Sequence, residues 1–193
     1  MKKQLMLLGL LGMTYLSSYA QKINRKAVVE RHTVSVASFD TLASLSVGNG
    51  RFAFTVDATG LQSFPNYYTN GVPLGTQSVW GWHSFPNKEN VKFEETLKEY
   101  TLNGRKVTYS VQGAKNAKSK EAINYYRENP HRLQLGNLGF IFKKKDGNTA
   151  QITDIVVQNQ QLNPYTGQIT SHFTLEGQPV TVLTVCDPNQ DIV

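Results

Sequence analysis

Trp80-Gly81-Trp82-His83 is the stretch of this sequence whose residue types are best suited to meeting a ligand. Two indoles lie two positions apart, in a segment (66–90) that Pro73, Pro86, Gly71, Gly75 and Gly81 break into irregular backbone. An irregular run of that length inside a folded domain is uncommon unless it has a task. Indole offers a flat apolar face with a polar N–H at its edge. The C–H face of a sugar ring lies well against such a surface, and polar side chains at the rim then reach the hydroxyls. Asn49, Arg51, Gln77 and His83 are the candidate rim groups, provided the loop folds over the segment that carries Asn49 and Arg51. The competing reading is that Trp80 and Trp82 cover one end of the hydrophobic core.

Other chemistries find less support. His32, His83, His131 and His172 show no HxH or HExxH spacing, so no metal ligands are assigned from sequence. Gly48-Asn49-Gly50 precedes a strand pattern and lacks the helix N-terminus that a phosphate loop uses. Ser84 beside His83 has no supporting nucleophile motif. Glu94, Glu95, Glu99 and Asp57 are the carboxylates to weigh for glycosidic hydrolysis, but no pattern sets two of them across a pocket. No catalytic residue and no cofactor follow from these patterns.

The elements that must position the loop are mostly strands. Phe52, Phe54 and Val56 alternate with Arg51, Ala53, Thr55 and Asp57, the period of a half-buried strand. Gly48-Asn49-Gly50 ahead of them supplies the positive φ of a tight hairpin. Asn103-Gly104 predicts a second hairpin between 94 and 111, and Asp146-Gly147, 163–167 and Glu176-Gly177 mark further turns. Strands are expected at 27–36, 133–142, 152–161, 168–175 and 179–185. One helix is expected near 120–129, stopped by Pro130. This recurrence indicates an all-β fold, an antiparallel β-sandwich, forming one domain over 21–193. A turn at 187–191 should lead into a further strand begun by Ile192-Val193, so the sandwich is expected to be incomplete, its final strand cut off.

Lys2-Lys3, an apolar run over 5–15 and small residues at Ser18-Tyr19-Ala20 give 1–20 the form of a secretory signal cut between Ala20 and Gln21. The apolar run is shorter than the ~20 residues a bilayer requires, so a periplasmic or secreted protein without a membrane span is expected. Loss of Lys2 and Lys3 lowers the net charge from +6 to +4. The remaining basic residues are scattered among acidic ones, unlike the continuous basic face of a nucleic-acid binder. The single cysteine, Cys186, excludes an intramolecular disulfide and reads as a small apolar core residue.

Ser46–Phe52 with its Gly-Asn-Gly turn, Asp57 to Gly60, and the run from Gly75 through Trp80-Gly-Trp-His-Ser-Phe-Pro86 together resemble the N-terminal β-sandwich of bacterial (α/α)6-barrel glycoside hydrolases and phosphorylases. Glycoside hydrolase family 65 and its six-hairpin relatives, in a secreted Bacteroidetes type, are the nearest named. The resemblance implies a sandwich that packs on a helical barrel following in the same chain, with loops lent to the rim of an oligosaccharide pocket. It implies no catalysis by this chain, because that family's general acid lies in the barrel. Gly48, Asn49, Gly50, Trp80, Trp82 and His83 carry over as pocket-rim residues.

Overall fold

A computed structural model describes residues 22–193; the signal-like segment and its cleavage point lie outside the described residues. The first element is a short helix, α1 (Arg25–Glu30), where the sequence suggested a strand from 27. Asn24 caps it by accepting the Ala27 N–H, and Lys26 pairs with Glu30 one turn on. Only β1 (Val34–Val36) of that expected strand forms.

The hairpin follows as read. β2 (Leu45–Gly48) and β3 (Phe52–Val56) pair antiparallel, with Leu45, Val47, Phe52, Phe54 and Val56 all turned inward. Gly50 has φ 86° in the turn. A 3-10 turn (Pro65–Tyr68) then leads to β4 (Gly75–Ser78), which adds to β3. β5 (Trp82–His83) leaves this sheet. A second hairpin, β6 (Leu97–Leu102) and β7 (Arg105–Ser110), turns at Asn103-Gly104 as expected, and most of its side chains are exposed.

The longest helix among the described residues is α2 (Ala117–Glu128), starting three residues earlier than the sequence suggested because Asn116 caps it. β8 (His131–Arg132) pairs with β5. The strand expected at 133–142 does not form. Its donors go one at a time to scattered acceptors: Leu133 to the Gly81 carbonyl, Leu135 to Thr76, Leu138 to Gln62 Oε1 and Phe140 to Ser63 Oγ. The last three strands are a meander, β9 (Ile155–Asn163), β10 (Gln168–Leu175) and β11 (Gln178–Thr184). Residues 187–192 close a turn in which the Asp187 N–H bonds the Ile192 carbonyl.

Besides the two-stranded β5-β8 and β6-β7 pairs, two larger antiparallel sheets result, ordered β1-β9-β10-β11 and β2-β3-β4. Their inner faces meet through Leu45, Val47, Phe52, Phe54, Val56 and Ile169, with Val36, Leu162 and half-buried Cys186 packed alongside. The fold is all-β and sandwich-like. The turn after β3 ties the sheets together. Asp57 was read as facing away from the aromatic side, yet it is 1% exposed. Its carboxylate accepts the Thr59 N–H at 2.8 Å, the Thr59 hydroxyl at 2.5 Å and the Phe64 N–H at 2.8 Å. From the opposite sheet, Gln160 donates to the Asp57 carbonyl and Thr184 to the Gly60 carbonyl. Strand alternation stops where this turn begins, so the side chain folds back over its own loop.

Candidate functional site

The residues singled out in the sequence fall into three places. The first is the hairpin turn. Asn49 Oδ1 accepts the Arg51 and Phe52 N–H groups, and its amide donates to the carbonyls of Asp187 (3.3 Å) and Gln190 (3.0 Å). Asn49 is therefore a latch between turn and C-terminal segment, its polar capacity used within the fold. Ser78 Oγ (2.6 Å) and Trp80 Nε1 (3.0 Å) both donate to Asp191 Oδ2. These bonds hold the Asp191 carboxyl below the ordinary carboxylate range, the Ser78 hydroxyl contributing most and the Arg51 charge contributing less.

That shift predicts a pH effect. A carboxyl depressed in the folded state stabilises fully above its unfolded value, about 3.9, and the contribution disappears as pH falls through the lower folded value. In a Trp82→Phe variant the remaining indole is Trp80, and its emission should change in that acid range. The change should vanish in Asp191→Asn. An emission that is flat down to the global acid transition would show that the contact does not form.

The second place is the outer face of β3 and β4. Gln77 pairs across from Ala53 and, with Thr55, Leu74 and Gln134, lines a groove of about 330 Å³. It lies apart from His83, which pairs elsewhere.

The third place holds Trp82 and His83. β5 brings them opposite Arg132 and His131 respectively. The Arg132 guanidinium stands 5.0 Å over the Trp82 ring, a cation–π contact. Phe85 packs edge-on to His83 at 4.8 Å. The Phe85 N–H is held at 2.6 Å by Oδ1 of Asn129, just past the end of α2, and Asn129 donates back to the Tyr125 carbonyl. Beside this cluster, Phe85, Pro86, Val91 and Tyr125, with Lys88 and Glu121, line a cleft of about 400 Å³. His131, Arg132 and Asn129 were not legible as site residues. They lie almost fifty positions from the tryptophan loop, and only the β5–β8 pairing brings them in.

The loop does not fold over the hairpin as a unit. Trp80 reaches it through Asp191, while Trp82 and His83 turn toward the helix side. Neither indole covers the sandwich core: Trp80 is 66% and Trp82 51% exposed. The weighed carboxylates do not converge. Asp57 is buried in its turn, whereas Glu95 pairs with Lys118 and receives the Lys92 N–H, which lowers its pKa. Among the described residues no group of three or more His, Cys, Asp or Glu is arranged to hold a metal ion, and no helix is long and apolar enough to cross a membrane. Comparison with protein-family models, curated proteins and solved structures finds no match to this chain.

Proposed function

We propose that this chain is an exported β-sandwich module of a carbohydrate-active enzyme, presenting Trp80, Trp82 and His83 as an aromatic platform for an oligosaccharide. The observation that carries the reading is the exposure of both indoles on a sandwich whose core closes without them. Singly exposed rings are ordinary, but two exposed indoles two positions apart with exposed Phe85 close by are the clustered kind of aromatic surface that marks an interaction site. Arg132 beside Trp82 adds hydrogen-bonding groups of the kind sugar hydroxyls take, while Gln77 lies in its own groove on β3 and β4. Arg51 and Asn49 serve the platform indirectly, through the turn and the Asp191 latch that orients Trp80.

In this reading the chain works beside a helical barrel that supplies the catalytic carboxylates, and the chain alone turns nothing over. The test is a glycan panel against the purified chain. Binding of at least one oligosaccharide is expected, weakened about tenfold or more by Trp82→Ala, the upper end of what one stacked ring contributes. No binding across the panel would remove the carbohydrate reading. Hydrolysis of an aryl glycoside by the chain itself would overturn its role as an accessory module.

A further inference from the structure

His83 and His131 face one another across the β5–β8 pair, with His83 Nδ1 3.3 Å from His131 Nε2. The second nitrogen of His131 is already committed. Nδ1 lies 2.8 Å from the Glu128 carbonyl oxygen, which can only accept, so Nδ1 carries the proton. The lone pair of His131 therefore sits on Nε2, aimed at His83. An imidazole whose far N–H is anchored on a backbone carbonyl, fixing its tautomer and orientation, is the usual support of a histidine metal ligand.

The spacing is informative in the same way. Two nitrogens bound to one tetrahedral ion at about 2.0–2.1 Å lie about 3.3–3.4 Å apart, which the pair already matches. An octahedral or square-planar ion would draw them closer, to about 2.8–3.0 Å for bonds of similar length. Phe85 restrains both rings, at 4.8 Å from His83 and 5.4 Å from His131, and Asn129 fixes the Phe85 backbone to the end of α2. Strand register, the carbonyl anchor and the aromatic wedge thus hold the two nitrogens at a chelating distance, now bridged by a hydrogen bond, and only ring rotation is left for an ion to drive.

We propose that His83 Nδ1 and His131 Nε2 form the protein half of a site for a tetrahedral divalent transition-metal ion of the Zn²⁺ kind. His83 moves its proton from Nδ1 to Nε2, so both facing lone pairs are free and no proton is lost. Each ring turns so that its lone pair points off the line joining the nitrogens, and water or an exogenous ligand completes the coordination. Imidazole donors without carboxylates favour Zn²⁺ and Co²⁺ over Mg²⁺ and Ca²⁺. The site shares His83 with the proposed sugar platform and adjoins Trp82, but its test reads metal binding and not sugar binding, so either reading can fail without the other.

Calorimetric titration of the chain with ZnCl₂ should give one equivalent bound, and MgCl₂ should give none. His83→Gln and His131→Gln should each weaken Zn²⁺ binding by more than the roughly tenfold that even an outer-shell partner contributes. A double His32→Gln/His172→Gln variant, made in a Cys186→Ser background, should bind as the parent does. Should either single variant fail to fold, nitrogen chemical shifts of the intact chain decide: Zn²⁺ must move His83 Nδ1 and His131 Nε2. An absence of Zn²⁺ binding, binding unchanged in both single variants, or unmoved shifts at these two nitrogens would each overturn the proposal.

Discussion

Replacing Asp57 by alanine should destabilise the fold by about 3 kcal/mol or more, because it strands buried donors at about 1–3 kcal/mol apiece. Two of these, the N–H groups of Thr59 and Phe64, have no other acceptor among the described hydrogen bonds. The Thr59 hydroxyl has a second partner in Ser63 Oγ at 2.8 Å, so it adds less. For a chain of this size the loss corresponds to a fall in Tm of about 6–12 °C. Asp57→Asn should sit between the two, since its amide nitrogen turns a donor toward one of the N–H groups that the carboxylate accepts.

The same pair of proteins carries a pH signature. Burial pushes the Asp57 carboxyl above its ordinary value, and the hydrogen bonds from Thr59, Phe64 and Ser63 draw it only partly back. Burial also pushes the Tyr68 phenol up, and the Asp57 charge adds to that. A carboxyl whose folded pKa is raised binds its proton more readily folded than unfolded, so its contribution to stability grows as pH falls through the folded value toward about 3.9. The stability gap between the natural chain and Asp57→Asn should therefore widen from pH 7 toward pH 4. Urea unfolding at several pH values measures it. A gap that narrows on acidification would mean that the hydrogen bonds outweigh burial and hold the group below its ordinary value.

What the sequence made legible was local. Phe52, Phe54 and Val56 declared their strand by alternation, and Gly-Asn-Gly, Asn-Gly and Glu-Gly declared turns because positive φ demands such residues. Tertiary pairings left no such mark. Ser78 and Trp80 meet Asp191 more than a hundred positions away, and a single polar residue in a turn gives no hint of its distant partner. The tryptophan loop was recognisable as a candidate, but its division between the hairpin side and the helix side was not, because β5 is only two residues long and pairs with an equally short β8. Segment 133–142 misled for a related reason. Its apolar residues suit a strand, yet Gly139 runs so close over the Asp57–Phe64 turn that an added Cβ would meet Gln62 backbone, and its donors are split between isolated carbonyls and side chains instead of forming a ladder.

Phe54→Ala should cost about 3–5 kcal/mol. Phe54 is 1% exposed, lies on the central strand of the β2-β3-β4 sheet, and belongs to the cluster that meets Ile169 of the opposite sheet. Removing the ring takes away transfer energy and leaves a cavity between sheets whose spacing other large residues (Phe52, Val56, Leu45) continue to set, so collapse is limited. The outlying hairpin provides the contrast. Tyr109 on β7 is 54% exposed and reaches Tyr100 across the pair at 6.1 Å, so Tyr109→Ala should cost less than about 1 kcal/mol. Chemical denaturation followed by tryptophan emission separates the two cases and tests something further. Trp80 and Trp82 lie outside the core but are fastened, through Asp191 and the β5–β8 pair, to different parts of the molecule. If the sandwich and its appended helix unfold as one unit, Phe54→Ala shifts the transitions reported by single-tryptophan variants retaining either indole by the same amount. If only the Trp80 transition moves, the β5–β8 platform with α2 has stability of its own, and the aromatic surface offered to a ligand is held by the helix side instead of by the sheets.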